Sequence, residues 1–341
     1  MRIQRRLLAL AMIGLITLGA LAATYAWWQD FLDEPLPISS TQIIDIRPGN
    51  SLGQVVNLLS RQTGLAYPRV FSYWAAREGF ERSIRAGEFA ISPGMSPRAA
   101  LLHIVTGPAV QYSVTFIEGT TVRIALNALW SSPKLQKTLQ ELDDKSLLSA
   151  INEQFPFLEG SIFPDTYFYT AGTTDLELLR RANNRLQQVL DEEWRTRAQG
   201  LPYETAFEAL TMASIIEKES GLISERERIA GVFVRRLQRG MRLQSDPTVI
   251  YGMGEHFDGN LRRVDLDTTT AYNTYRINGL PPSPIAMAGR DAIHASLNPS
   301  DETYLYFVAT GEGGHYFSST LNEHNAAVRR YQLSQRQSAN Q

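Results

Sequence analysis

The chain has 341 residues, a formal net charge of -2, 43% hydrophobic and 20% charged residues, and no cysteine. A nearly balanced charge with no basic run beyond the N-terminus excludes a nucleic-acid partner. The lack of thiols excludes disulfide staples and thiol chemistry, so a large apolar core must hold the fold, and the composition permits one.

From Leu7 to Trp28 the sequence LLALAMIGLITLGALAATYAWW carries no charge, and a run of about 20 apolar residues is enough to span a bilayer. Ala20-Leu21-Ala22 offers the alternative of a cleaved signal peptide. The apolar run continues past it to Tyr25, Trp27 and Trp28, which suits an interfacial aromatic belt and favours a retained transmembrane helix over 7–28. Arg2, Arg5 and Arg6 precede it, so residues 1–6 are expected in the cytoplasm and the rest outside it. Residues 29–41, containing DEPLPISS, read as a short stalk.

Four segments repeat one pattern: IRPGNS from Ile46, ISPGMS from Ile91, FIEGTT from Phe116 and YTAGTT from Tyr169. Each predicts a strand, a glycine turn, and a Ser or Thr that caps a helix. Residues 42–107 hold the first pair, with a helical pattern over Pro68–Gly79 and a strand at GEFAIS, and read as a small α+β module. Residues 112–335 read as a larger mixed α+β domain. Its early part predicts a strand at YSVTFI and helices over Val122–Trp130, Lys134–Glu141 and Asp175–Ala198. The aromatic segment around Pro164, Asp165 and Tyr167 suits either a sugar face or a packed turn.

The run TMASIIEKES, residues 211–220, places Glu217 and Glu219 at the end of a stretch that is apolar almost all round, the pattern of a buried helix. Three and four residues before Glu217 stand Ser214 and Ala213, and Gly221 follows, so small residues are expected to leave a groove beside the carboxylate. Apolar surroundings raise a carboxyl's pKa, as a general acid requires. Glu219 falls roughly 200° further round the helix, so the two carboxylates cannot flank one bond; a structural pairing with Arg226, Arg228 or an arginine of VFVRRLQRGMRL is expected for it. A solvated helix end is the plain alternative for both.

Downstream, MRLQSDPTVIYG contributes Gln244, Asp246 and Tyr251, and AYNTYRINGLPPSPIA contributes Tyr272, Asn273 and Tyr275 ahead of the turn Gly279-Leu280-Pro281-Pro282. With Ser214 and Glu219, these are the candidate substrate-binding residues; the alternative is a loop-rich core. His103, His256, His294, His315 and His324 show no metal-binding spacing, and there is no Walker loop or GxGxxG, so no metal or cofactor is expected. Ser214 and Lys218 have the spacing of a Ser-Lys pair, which arises often by chance.

The run ASIIEKES, followed by RERIAGVFVRRLQRGMRLQSDPTVIYG, AYNTYRINGLPPSPIA and YLYFVATGEGGHYFS, with FPDTY earlier, resembles the YceG-like endolytic murein transglycosylases. The order of the small module resembles LysM, a fold that often binds the N-acetylglucosamine backbone of peptidoglycan. The resemblance implies a membrane-anchored enzyme acting on nascent glycan strands beside penicillin-binding synthases, with Glu217 as the catalytic acid. Glu217 would protonate the oxygen between N-acetylmuramic acid and N-acetylglucosamine, then accept the proton of the C6 hydroxyl that closes a 1,6-anhydro ring. Glu217→Gln is then expected to abolish cleavage and spare stability. Two other readings stay open: a hydrolytic muramidase pairing Glu217 with Asp246 or Asp165, and a non-catalytic glycan-binding anchor.

Overall fold

A computed structural model describes residues 2–311 and 313–333. The end of the domain expected over 112–335 and Glu312 of the GEGG run therefore lie outside the described residues. The chain divides into two compact units: one reaches to Tyr112 and takes in Thr170–Gly172, and the other takes in Ser113–Tyr169 and the chain from Thr173 onward.

The first unit opens with helix α1 (Arg2–Asp33), which is long and apolar enough from Gln4 to cross a membrane. Its leucines before Tyr25 are largely exposed. The helix then carries on into the region expected to be a stalk. Leu32 and Leu36 are buried in the core of this unit, and Arg98 bonds Gln29 at 2.7 Å and Asp33 at 2.9 Å. The stalk expectation is thus corrected: its apolar residues have a partner to pack on, which local composition does not reveal.

Strand β1 (Gln42–Ile46), α2 (Leu52–Thr63), α3 (Pro68–Arg77), β2 (Gly87–Ile91) and α4 (Pro97–Thr106) complete this unit. The two strands run antiparallel, from Gln42 opposite Ile91 to Ile46 opposite Gly87. Alternation along β1 sends Ile44 and Ile46 inward, onto Val55, Val56 and Leu59 of α2, Phe71 of α3 and Leu101 of α4.

In the second unit, β3 (Gln111–Thr115) leads to α5 (Val122–Ser131) and α6 (Asp144–Asn152), and β4 (Thr166–Thr170), paired with β3, leads to α7 (Asp175–Arg195). All four segments form the glycine turn, and in three of them the Ser or Thr side chain caps the helix, Thr121 making no such bond. Gly49, Gly94, Gly119 and Gly172 take positive φ, and Ser51, Ser96, Thr121 and Thr174 stand at the N-caps of α2, α4, α5 and α7.

The helix expected over Lys134–Glu141 does not form. Lys134 has φ +61, Gln136 bridges to Thr174, and the Asp175 carboxylate accepts the backbone N–H groups of Thr138 and Leu139 at 2.9 and 3.0 Å. A distant carboxylate thus satisfies donors that a helix would have turned inward. The FPDTY segment proves to be packed: Tyr167 is buried and donates to the Phe163 carbonyl at 2.9 Å.

The core of this unit is built on α8 (Ala206–Glu219), α9 (Ile223–Gln238) and, after α10 (Asp246–Met253) and the short α11 (Arg263–Asp267), α12 (Arg290–Leu297). Thr205 and Glu208 form a reciprocal capping box that starts α8. Ala209 to Ile216 are all buried, so this helix is enclosed on every side by α7, α9 and α12. The antiparallel hairpin β5 (Tyr306–Ala309) and β6 (His315–Ser318) precedes α13 (Leu321–Val328).

Candidate active site

Glu217 lies in the last turn of α8, and its side chain retains 5% exposure. Arg226 of α9 donates to its Oε1 at 2.6 Å, and the backbone N–H of Gly289, just before α12, donates to its Oε2 at 3.0 Å. Burial pushes the Glu217 carboxyl upward; the Gly289 bond and the Arg226 charge oppose this, and the nearby Glu118 charge adds to it. Burial is the largest of these, and the net direction is up.

The surrounding loops are tied to one another. Gly119 and Met287 exchange bonds, Gly119 N–H to Met287 O at 2.9 Å and Met287 N–H to Thr120 O at 2.9 Å. The hydroxyl of Ser214 donates to Thr211 O at 2.7 Å and accepts the Ile285 N–H at 3.0 Å. Ser214 and Ala213 are fully buried, so the groove expected beside them is filled by the 283–289 loop, and Ser214 is a scaffold residue in place of a substrate contact. Lys218 donates to Gly119 O at 3.0 Å and does not pair with Ser214.

Glu219 faces a different set of groups. Ser245 donates to it at 2.5 Å, and burial raises its carboxyl, with Asp246 adding to the rise. Of the arginines expected for it, Arg226 serves Glu217 and Arg228 pairs with Glu302 at 3.0 Å, while the charge of Arg236, in VFVRRLQRGMRL, acts on Glu219. Tyr275 donates to Asp246 at 2.6 Å. Gln244, with φ +55, donates its backbone N–H to Thr274 O at 3.2 Å. Asn273 is fully buried, its amide donating to the carbonyls of Asp265, Leu266 and Thr268 and its oxygen accepting the Tyr275 N–H. With every polar atom committed to backbone, Asn273 shapes the loop and has nothing left to offer a substrate.

Tyr251 and Tyr272 meet edge to face, ring centroids 4.9 Å apart, on the wall of a cleft of about 830 Å³. Thr121, Val122, Phe157 and Glu159 also line it. Glu159 accepts the Val122 N–H at 3.0 Å, which caps α5 where Thr121 makes no side-chain bond. Burial pushes Glu159 up to about 7. Sequence reading passed over Glu159; the only available signal was its place in EGSIFPDTY, one residue before a glycine. Gly160 has φ +78, and a Cβ there would collide with the Pro284 ring.

The arrangement is that of an α+β protein presenting two enclosed carboxyls at one helix end, Glu217 held by an arginine and a backbone N–H and Glu219 by Ser245, with an aromatic-walled cleft in the same unit. The chain belongs to the YceG-like family, whose family model matches residues 44–330. It is 31% identical over 86% of its length to the endolytic murein transglycosylase of Bacillus subtilis (strain 168), covering 85% of that protein. It is 27% identical to the endolytic murein transglycosylase of Streptococcus pneumoniae serotype 2, where it spans 62% of the relative's length. Among solved structures, a YceG-like protein from Listeria monocytogenes matches with TM-score 0.54 and 26% identity, over 85% of this chain and 99% of that one.

Proposed function

We propose that this protein is a peptidoglycan lytic transglycosylase that cuts within glycan strands, with Glu217 as its acid. The observation that carries the reading is the Glu217 site: an enclosed carboxyl at the end of α8, pushed upward by burial and fixed by two donors, Arg226 and the Gly289 N–H. A lytic reaction needs no second carboxylate, whereas hydrolysis by a flanking pair does. Asp246 is engaged by Tyr275, and Asp165 is exposed, with its own neighbour Thr166 donating to it at 2.7 Å. Neither is arranged as a partner of Glu217.

In the proposed mechanism Glu217 gives its proton to the oxygen between N-acetylmuramic acid and N-acetylglucosamine, and the bond to C1 of the muramic residue breaks. The Glu217 carboxylate then takes the proton of the C6 hydroxyl as that oxygen bonds to C1. One 1,6-anhydro end and one free hydroxyl result, the proton on Glu217 is restored, and no water is consumed. The cleft with Tyr251 and Tyr272 supplies aromatic faces suited to sugar rings. Tyr275, Gln244, Asp246 and Glu219 stay as candidates for shaping the site.

The order β1-α2-α3-β2 with an antiparallel strand pair supports a LysM-like role for the first unit in holding glycan. Helix α1 supports a single-pass anchor in the cytoplasmic membrane with the remainder outside the cytoplasm, beside penicillin-binding synthases that produce the strands. The deciding experiment is mass spectrometry of peptidoglycan digested by the purified protein. Anhydro ends are expected; reducing ends would identify a muramidase, and intact strands a binding protein.

A further inference from the structure

Two acidic side chains meet at one glycine. The Gly289 N–H is donated to Glu217, and the carboxylate of Glu118 lies so close to the same residue that a Cβ on Gly289 would collide with it. Gly289 has φ -75, an ordinary value for any residue, so space for Glu118 is what the missing side chain provides. Glu118 stands on the turn between β3 and α5, where Gly119 is tied to Met287 and packs against the Glu217 side chain, 3.7 Å from where its own Cβ would be. The acid on α8 therefore has both a cation and an anion in its surroundings.

The other charged groups nearby are committed elsewhere. Lys218, on the same helix as Glu217, donates to Gly119 O at 3.0 Å. Arg290, next to Gly289, pairs with Glu192 and Glu193 at 2.6 and 2.7 Å. Glu225 on α9 is bonded to His315 at 2.8 Å. Arg226 and Glu118 are the charges that act on Glu217.

We propose that Glu118 is a positioning residue of the active site, whose negative charge opposes Arg226 and joins burial in favouring the protonated form of Glu217. Arg226 favours the ionised, ion-paired form of the carboxylate, and burial opposes it. A like charge nearby makes that form less favourable, and Glu118 is exposed to water. The inference rests on the reading of Glu217 as the acid for its catalytic meaning, and on the shared contact at Gly289 for the coupling.

The test uses the full chain in detergent micelles, with ¹³C-labelled glutamate carboxyls and Glu217→Gln to assign the Glu217 signal. Glu118→Gln should move the Glu217 titration midpoint to lower pH by roughly half a unit or more, and should move the alkaline limb of glycan cleavage the same way. Glu118→Asp should restore much of the midpoint. Gly289→Ala, which displaces Glu118 by the added methyl, should shift it in the same direction as Glu118→Gln. An unchanged midpoint in Glu118→Gln would overturn the inference. A shifted midpoint combined with full cleavage by Glu217→Gln would keep the coupling and remove Glu217 as the acid, so the two claims fail separately.

Discussion

The guanidinium of Arg226 stands 2.6 Å from the Glu217 carboxylate, and the two side chains retain only 6% and 5% of their exposure. Among the described residues, Nε and Nη1 of Arg226 find no hydrogen-bond partner, so Glu217 is what compensates this cation. The acid and its arginine come from helices joined by a short turn, α8 and α9, and the pair bolts their ends together.

Glu217→Gln should therefore do more than stop the chemistry. Loss of the proton donor is expected to lower turnover by about 10²- to 10⁴-fold. At pH values where Glu217 is ionised and compensates Arg226, the substitution should also destabilise the fold by about 3 kcal/mol, contrary to the expectation from sequence that stability would be spared. Urea midpoints of the purified variant measure the second effect; an unchanged midpoint would show that Arg226 finds compensation elsewhere.

Arg226→Met should behave differently, because the residue left behind can neutralise itself by taking up a proton. At pH 5 this variant should lie within about 1 kcal/mol of wild type and lose less than Glu217→Gln. With the cation gone, Glu217 keeps its proton to higher pH, so the alkaline limb of the cleavage profile should move upward. A shift downward would reverse the assigned direction.

Glu159 gives the protein a pH-dependent stability of definite sign. Its folded carboxyl is pushed up to about 7 from an ordinary 4.5, so between these values the folded protein holds more protons than the unfolded chain. Stability is then fully present below pH 4.5, falls as pH rises, and reaches its full deficit above 7. Glu159→Gln, which can still accept the Val122 N–H, should match wild type at pH 4 and exceed it at pH 8 by as much as about 3 kcal/mol. Denaturation series at both pH values test this; an equal difference at the two would remove Glu159 as the source.

Gly160→Ala combines a positive φ with a collision against Pro284. It should destabilise the protein by about 2 kcal/mol. It should also lower cleavage at saturating substrate, because the displaced loop carries Gly289, the donor to Glu217. Normal turnover in a folded Gly160→Ala protein would show that the loop absorbs the change before Gly289.

Local features were readable in the sequence and distant pairings were not. The cap residues Ser51, Ser96, Thr121 and Thr174 could be found because turn chemistry lies within a few residues. Helix α8 and the seclusion of Glu217 followed from an apolar run interrupted by one acid. Arg226 was only one of several arginines expected near Glu219, because helix spacing does not say which of two carboxylates an arginine on another helix will meet. Glu118 and Glu159 carry no local mark; Gly289 and Val122, which give them meaning, lie far along the chain. The segment 134–141 has helical composition, yet Asp175, from beyond β4, decides its conformation.

Helix α1 has a last consequence. It runs unbroken from Arg2 to Asp33 and enters the core of the first unit at Leu32, with Arg98 clamped to its final turn. At 1.5 Å per residue, the step from Trp28 to Leu32 is about 6 Å. For a chain held in a bilayer by this helix, that is a mast without a swivel: the β1–β2 module would keep a fixed bearing close to the lipid surface. If the module holds glycan as proposed, its reach would then be limited to strands near that surface.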